Sequence, residues 1–504
     1  MMPDEKVRKT AHVVPDLSPA VADALRTGFL RCGYTTDGVR RLLGETAHAA
    51  LGRGEPEPAH RATADGGELG VLVRMLLLGG TEPDAAVTAA LAPCSPADAA
   101  AAGLITRDGD GWRAALDVRP YAEQDGPPWW VVSDLDLRRQ DRDHVTGVGA
   151  ASITLAAATV RTPAETALDL GTGCGVQALH ASAHARRVTG TDVAPRALAA
   201  ARATFALSGV DVELLEGPWL APVAGRRFDR IVSNPPFVPG PPRIDLVYRD
   251  SGAAGDDALA ALLGDLPRHL TPGGVAQLLG SWLHVRGQDW PERVTSWLPD
   301  GVDAWILQRE VADPAMHVGI WQRDAGLDPA APATRAQAGE WLDWLESADV
   351  EAVGFGVITL RVPEHGPGTV VVEDLQGAVD DPLGPEVEGW LDRVDWLRAH
   401  PTDADLLGAR VTIAPGVVLE RCAEPGEEGW TQTGAAVVRT DGPRWRHEVD
   451  ELGAALLAGC RGQMPLGDVV GLLAFAHDRP TDAVVAEALP AVRELVRHGV
   501  LVPA

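Results

Sequence analysis

The chain has 504 residues, 45% apolar and 23% charged, the balance of an ordinary soluble globular protein with room for about three domains. Its 44 basic residues face 71 acidic ones, a net charge of −27, and Lys6 and Lys9 are the only lysines. Such a surface works against the broad basic footprint that non-specific nucleic-acid binding needs, and the arginine, alanine and glycine bias points to a GC-rich bacterial genome. Cys32, Cys94, Cys174, Cys422 and Cys460 form no C-x-x-C pair, so neither a disulfide framework nor a zinc site can be read from them, and no metal is expected. The longest apolar run, Val71–Leu78, carries Arg74 and is too short for a bilayer; the start, MMPDEKVRKTAHVVPDLS, lacks the apolar core of a secretory signal. A cytoplasmic protein without a membrane partner is the expectation.

Residues 18–105 read as short helices. Ser18 is placed to cap the first, whose apolar face uses Val21, Leu25 and Leu30; Thr36–Leu43, Leu69–Leu78 and Pro83–Leu91 follow between glycine and proline breaks. Leu104–Thr106 and Trp112–Val118, joined by Asp108-Gly109-Asp110-Gly111, predict a β-hairpin. Helices followed by a hairpin make residues 1–125 a winged-helix-like module, for substrate recognition or simply for packing. Gly126–Pro128 ends it. Trp129–Ser133 predicts a strand, and Asp134–Thr146 alternates arginine (Arg138, Arg139, Arg142) with aspartate, the pattern of a solvated loop.

The most informative stretch begins at a short apolar strand, Thr166–Leu170, that ends in Asp169-Leu170-Gly171. Glycines alternate at Gly171, Gly173 and Gly175, and a helical run starts at Val176. A strand, a glycine loop and a helix bring a ligand against bare backbone at a helix N-terminus. A second strand, Val188–Val193, carries Asp192 near its end, where a Rossmann-like fold places an acid for ribose hydroxyls. Gly173, Gly175 and Ala178 also satisfy the dinucleotide pattern GxGxxG/A, so a nicotinamide enzyme competes at this point.

The tetrapeptide after the fourth strand, Phe228–Ser233, decides between them. In Asn234-Pro235-Pro236-Phe237 the prolines stop strand pairing and stiffen the backbone, leaving a carboxamide at the carboxyl end of the sheet. The Asn234 oxygen and the Pro235 carbonyl can accept from a flat NH2 group, and Phe237 offers a ring face. No dehydrogenase needs this motif. With the acid-x-Gly-x-Gly-x-Gly loop from Asp169 to Gly175, the chain resembles the class I S-adenosylmethionine (SAM)-dependent N-methyltransferases of the "methyltransferase small" type, which include the release-factor glutamine enzymes. The resemblance spans roughly residues 130–365 and implies an α/β fold, a Rossmann-like mixed seven-stranded sheet, with SAM as cofactor. It implies that Asp169, Gly171, Thr172, Gly173 and Gly175 hold the methionine moiety, Asp192 the ribose, and Glu216 with Trp219 the adenine border. Asn234, which borders the cofactor as well, Pro235 and Phe237 are implied to orient the acceptor. Relatives place a substrate-gating segment just before the fold, and release-factor enzymes carry a Pro-Arg-x-Glu-Thr-Glu pattern there; here His144-Val145-Thr146-Gly147-Val148-Gly149 stands instead. His144 invites a catalytic-base role, but an amide nitrogen is not readily deprotonated first, so orientation is expected to do the work.

Helix Pro195–Leu207, strand Val212–Gly217, a helix ending at His269, strand Gly274–Leu279, helix Trp290–Leu298 and strands Ala304–Arg309 and Val353–Val362 complete the predicted core. About forty residues, including a helix near Arg335–Ser347, separate the last two strands, which form a tight hairpin in this fold. Residues 126–380 are thus the expected methyltransferase domain. Residues 381–504 form a third region: helix Val387–Ala399, β-rich Arg410–Arg421 and Gly434–Arg439, then helices His447–Cys460, Leu466–Ala476 and Ala483–His498 and a strand Val500–Val502. That end is again winged-helix-like. Its last helix carries Glu487, Arg493, Glu494 and Arg497, a poor match for DNA phosphate. The favoured acceptor is a protein glutamine side chain; an exocyclic amine of guanine or adenine in RNA or DNA is the alternative, and an inactive SAM-binding scaffold a third.

Overall fold

The computed structural model describes residues 14–123, 126–135, 142–375, 377, 379–426 and 429–504; the start of the chain and Arg138 and Arg139 lie outside them. The chain divides into two units: residues 1–156, 163–299 and 311–362, and residues 157–162, 300–310 and 363–504.

In the first unit the opening helix runs Pro19–Cys32, capped as expected by Ser18, whose side chain accepts from the Val21 N–H. Helices Thr36–Gly52, Glu57–Thr63, Gly67–Leu72, Asp84–Leu91 and Pro96–Ala101 follow, and Ile105–Asp108 pairs antiparallel with Gly111–Ala114. The second hairpin strand is shorter than expected. Asp117–Tyr121 leaves it to pair with Trp129–Ser133. Leu25, Phe29, Tyr34, Met75 and Trp130 form one core with Ala203 and Leu207 of the helix Pro195–Ser208. That shared core corrects the expected boundary at 125: the N-terminal helices and the α/β region bury one another's apolar faces and group as one unit.

The strands of the α/β region are β1 (Ala164–Leu170), β2 (Ala185–Asp192), β3 (Glu213–Glu216), β4 (Phe228–Ser233), β5 (Leu270–Val285), β6 (Asp303–Ala312) and β7 (Val350–Arg361). The first unit orders them β7-β5-β4-β1-β2-β3. All pairs are parallel except β5–β7. Buried residues such as Leu168, Ile231 and Leu278 fill these strands, as a sheet covered on both faces demands. This is the expected class I α/β fold, with the acid and glycine positions at the carboxyl ends of β1 and β2 and Asn234 at the end of β4. The sequence between β6 and β7 holds two helices, Pro314–Asp324 and Pro332–Ser347, of which only the second was expected. Val318, Trp321, Trp341 and Leu345 from these helices share a core with Leu283 of β5 and Val353 of β7.

The second unit holds most of β6, which pairs in parallel with β8 (Val370–Asp374). It therefore begins near residue 363, earlier than the expected 381. Helix Gly384–Ala399 and a hairpin of Val417–Gly426 with Gly429–Arg439 follow. Helices Glu451–Gly459, Leu466–Ala476 and Thr481–Arg497 bury Leu457, Val470, Leu489 and Val496 in one core, and Leu501–Pro503 pairs with Val411–Ile413. The helix expected from His447 starts only at Glu451. Arg446–Glu448 is instead a strand paired with Ala436–Val438. No helix among the described residues is long and apolar enough to cross a membrane.

Candidate functional site

A cavity of about 340 Å³ opens at the carboxyl ends of β1, β2 and β4. One side is the glycine loop. Gly171, Gly173 and Gly175 have φ of 75°, 56° and 91°. At Gly175 a side chain is doubly excluded, since a Cβ would stand 2.6 Å from the Phe205 ring. At Gly171 and Gly173 nothing lies within 4 Å of such a Cβ, so those two leave open space beside the backbone. The Gly171 and Thr172 N–H groups donate to the Thr191 carbonyl at 2.9 and 2.8 Å, which ties the loop to the end of β2.

The two acids of this half have different places. Asp169 is buried beneath the loop and does not line the cavity, contrary to its expected ligand contact. Its Oδ2 accepts from the Thr172 hydroxyl at 2.6 Å and from the Ala178 N–H at 2.9 Å, so it fills the N-terminus of the helix Val176–Ser182 that the sequence had reserved for a ligand. Burial pushes its carboxyl up to about 7. Asp192 is on the wall. Its Oδ2 accepts from Gly173 N–H at 2.9 Å and its Oδ1 from Ala194 N–H at 2.8 Å. A carboxylate has about four acceptor sites, so these N–H groups leave capacity for a further donor. Burial raises its pKa, opposed by these N–H groups and that of Val193.

After β3, Gly217 donates its N–H to the Asp192 carbonyl at 3.0 Å. Trp219 lines the cavity with φ of +49°, an uncommon backbone region for an aromatic residue and one found at ligand clamps. Glu216 is exposed and not on the wall.

Across the cavity, Asn234, Pro235 and Pro236 form the rim. The Ser233 hydroxyl donates to the Leu170 carbonyl at 2.8 Å and locks the ends of β4 and β1 together. Among the described residues the Asn234 carboxamide has no hydrogen-bond partner, so its oxygen and NH2 group are available. Phe237 is not on the wall: its ring packs on Phe355 of β7 at 5.4 Å between centroids. Asn234 and Pro235 therefore stand where they were expected, and Phe237 does not.

The remaining wall comes from two segments outside the glycine loop and the NPPF motif. His144, Val145, Thr146 and Gly147 contribute from the charged segment, with Ile244, Val247, Tyr248, Asp250 and Ser251 from the chain after the NPPF motif. The described ends of the segment expected to be solvated are anchored: buried Asp134 accepts from Val145 N–H at 2.8 Å and from Arg196 at 2.6 Å. His144, also buried, lies 3.7 Å from the Asp134 carboxylate and edge-on to Tyr248. The second segment hangs on the helices between β6 and β7. His317 meets the Pro239 carbonyl at 3.0 Å, Gln337 donates to Asp245 at 3.0 Å and Arg243 to Glu340 at 2.8 Å. Gly240 lies so close to Trp341 that a Cβ there would be 2.2 Å from its ring. Arg249 chelates Asp250 and stacks over Trp321, while Asp250 accepts from the Asp245 and Leu246 N–H groups. The signal for this wall in the sequence is weak, because its brace lies some ninety residues onward.

The donor set fits S-adenosylmethionine. Asp192 has acceptor sites left for a diol, the open faces of Gly171 and Gly173 admit a chain against backbone, and Trp219 offers a ring. A family model, the methyltransferase small domain, matches residues 146–277, from the cavity's His144 wall into β5. The central domain is similar to the methyltransferase small family. Two further models, the domains of unknown function DUF7059 and DUF7782, match residues 31–115 and 388–503, flanking the methyltransferase domain. Relatives of that domain include a release factor glutamine methyltransferase of Deinococcus radiodurans, 40% identical over 122 residues, 22% of this chain and 44% of the relative. A ribosomal protein uL3 glutamine methyltransferase of Bradyrhizobium diazoefficiens is 33% identical over 168 residues, 30% and 53% of the two chains. A ribosomal RNA small subunit methyltransferase C of Alcanivorax borkumensis is 30% identical over 114 residues, 23% and 31%. The chain spans about half the length, or less, of these curated relatives.

Proposed function

We propose that this protein is a SAM-dependent N-methyltransferase acting on the side-chain amide of a protein glutamine. The observation that carries the reading is the unpartnered Asn234 carboxamide on the rim of the cavity whose other side is the glycine loop and Asp192. Bound SAM supplies an electrophilic methyl group on a sulfonium. Asp192 would accept from the ribose hydroxyls, the backbone of Gly171 to Cys174 would hold the methionine moiety, and Trp219 would border the adenine. Asp169 acts one layer back, holding Thr172 and the first turn of the following helix in place. The Asn234 oxygen and the Pro235 carbonyl accept from the acceptor's NH2 group, and this fixes the nitrogen lone pair on the line to the methyl. His144 and Tyr248 shape the wall beside it. Support for glutamine comes from the release-factor and uL3 relatives and from the acidic surface, which does not suit a nucleic-acid chain.

The test is to incubate lysate with purified protein and methyl-labelled SAM and then to digest with protease or nuclease. Protease-sensitive label that hydrolyses to methylglutamine is expected. Nuclease-sensitive label would replace glutamine with an exocyclic nucleobase amine as the acceptor, the reading favoured by the RNA-modifying relative. No transfer to any lysate component would leave a SAM-binding scaffold.

A further inference from the structure

In the second unit a chain of hydrogen bonds ends in two imidazoles facing each other. The Trp305 indole N–H donates to Glu373 Oε2 at 2.6 Å, and Glu373 Oε1 lies 2.7 Å from His498 Nε2. The carboxylate, itself held by Trp305, fixes the proton of His498 on Nε2 and leaves a lone pair on Nδ1. That Nδ1 lies 2.9 Å from His447 Nε2. Trp445 stacks on the His498 ring at 4.0 Å and 11°, so the ring cannot swing away. Glu494, one helical turn before His498, brings its carboxylate to 3.8 Å from Nδ1, the other ring nitrogen of His447, too long for a hydrogen bond. One donor atom from each of His447, Glu494 and His498 lies within 4.8 Å of the other two.

We propose that His447, Glu494 and His498 bind a divalent cation of the zinc type, with Glu373 as the outer carboxylate that orients His498. Two imidazole nitrogens and one carboxylate oxygen are a donor set for zinc, and the half-exposed side of Glu494 leaves a fourth position to water. Nitrogens on one tetrahedral zinc stand about 3.3 Å apart, so the pair needs to open by only a few tenths of an ångström. A carboxylate on the far nitrogen of a ligating histidine is the usual device for fixing tautomer and ring orientation. The ion would fasten the strand Arg446–Glu448 to the end of the helix Thr481–Arg497. This goes beyond the methyltransferase chemistry and departs from the metal-free expectation drawn from the cysteines.

The full chain, stripped with a chelator and desalted, is titrated calorimetrically with Zn2+ at neutral pH, with thermal unfolding followed in parallel. The wild type is expected to bind one equivalent and to unfold at a higher temperature with the ion. Glu494→Gln, on an exposed side chain, and His447→Ala should each weaken binding tenfold or more, and Glu373→Gln on the order of 10–100-fold through loss of the tautomer lock. Absence of a stoichiometric wild-type site overturns the proposal. So does wild-type affinity in Glu494→Gln and His447→Ala, which would put the ion elsewhere in the chain.

Discussion

Asp169 accepts the Thr172 hydroxyl at 2.6 Å from beneath the glycine loop, so the first acid of the motif supports the loop and Asp192 alone of the two reaches the cavity. The buried acid has a pH signature. Its folded pKa of about 7 stands above the ordinary aspartate value of 3.8, so between these the folded chain holds a proton that the unfolded chain has released. Raising the pH through that window therefore removes stability, by about 1.4 kcal/mol per pH unit where the difference is one full proton, and the loss levels off above the folded pKa. Asp169→Asn keeps an oxygen for both hydrogen bonds and lacks the titration. Denaturant midpoints of wild type and variant should diverge between about pH 5 and pH 7. Parallel curves would refute the burial argument.

Asp192→Ala should weaken SAM about ten- to a hundredfold, since hydrogen bonds to a charged acceptor contribute roughly 1.5–3 kcal/mol. The variant also strips the Gly173 and Ala194 N–H groups of their acceptor, so the ligand-free protein should unfold earlier. Calorimetry with SAM and with NAD decides the cofactor. Unchanged SAM affinity, or tight NAD binding by the wild type, would overturn the assignment.

Asn234→Ala should leave SAM affinity nearly unchanged and lower the single-turnover transfer rate by on the order of 10²–10³, the loss for one preorganised hydrogen-bond partner. Phe237→Ala should behave differently. Its ring packs on Phe355, so the expected loss is in folding stability, about 1.5–3 kcal/mol. A variant at Phe237 that alters only the acceptor's KM would place the ring at the substrate after all.

Gly240→Ala drives a methyl into the Trp341 ring. The expected result is a raised acceptor KM with SAM affinity intact, because the displaced chain carries Ile244, Val247 and Tyr248 but no residue of the glycine loop. Adding Trp341→Leu should restore the KM in part. A neutral Gly240→Ala would show that the wall does not depend on this contact.

Much of this was legible from local pattern. The strand Phe228–Ser233 and the helix Leu466–Ala476 have the predicted bounds, since apolar runs between strong breakers leave few alternatives. Asn234, Pro235 and Asp192 reached the cavity because strand ends in this fold point there. Asp169 and Phe237 were misplaced because spacing fixes where a Cα lies, not which way its side chain turns. The helix Pro314–Asp324 went unread: Val318 and Trp321 pack on partners from Leu283 to Val353, distances over which no periodicity in one window carries information. His447 was assigned to the helix that begins at Glu451, and pairing with Ala436–Val438 overrode that extension.

The cavity is built from two halves with separate foundations. The loops that follow β1, β2 and β3 rest on the sheet and on Phe205, whereas the wall from Ile244 to Ser251 is clamped by helices inserted between β6 and β7. Changes in that insertion can therefore retune which acceptor is admitted without disturbing the donor's seat. A lineage could exchange substrates by editing residues that never touch either one, and an engineer could graft the clamp and its wall together as a single cassette.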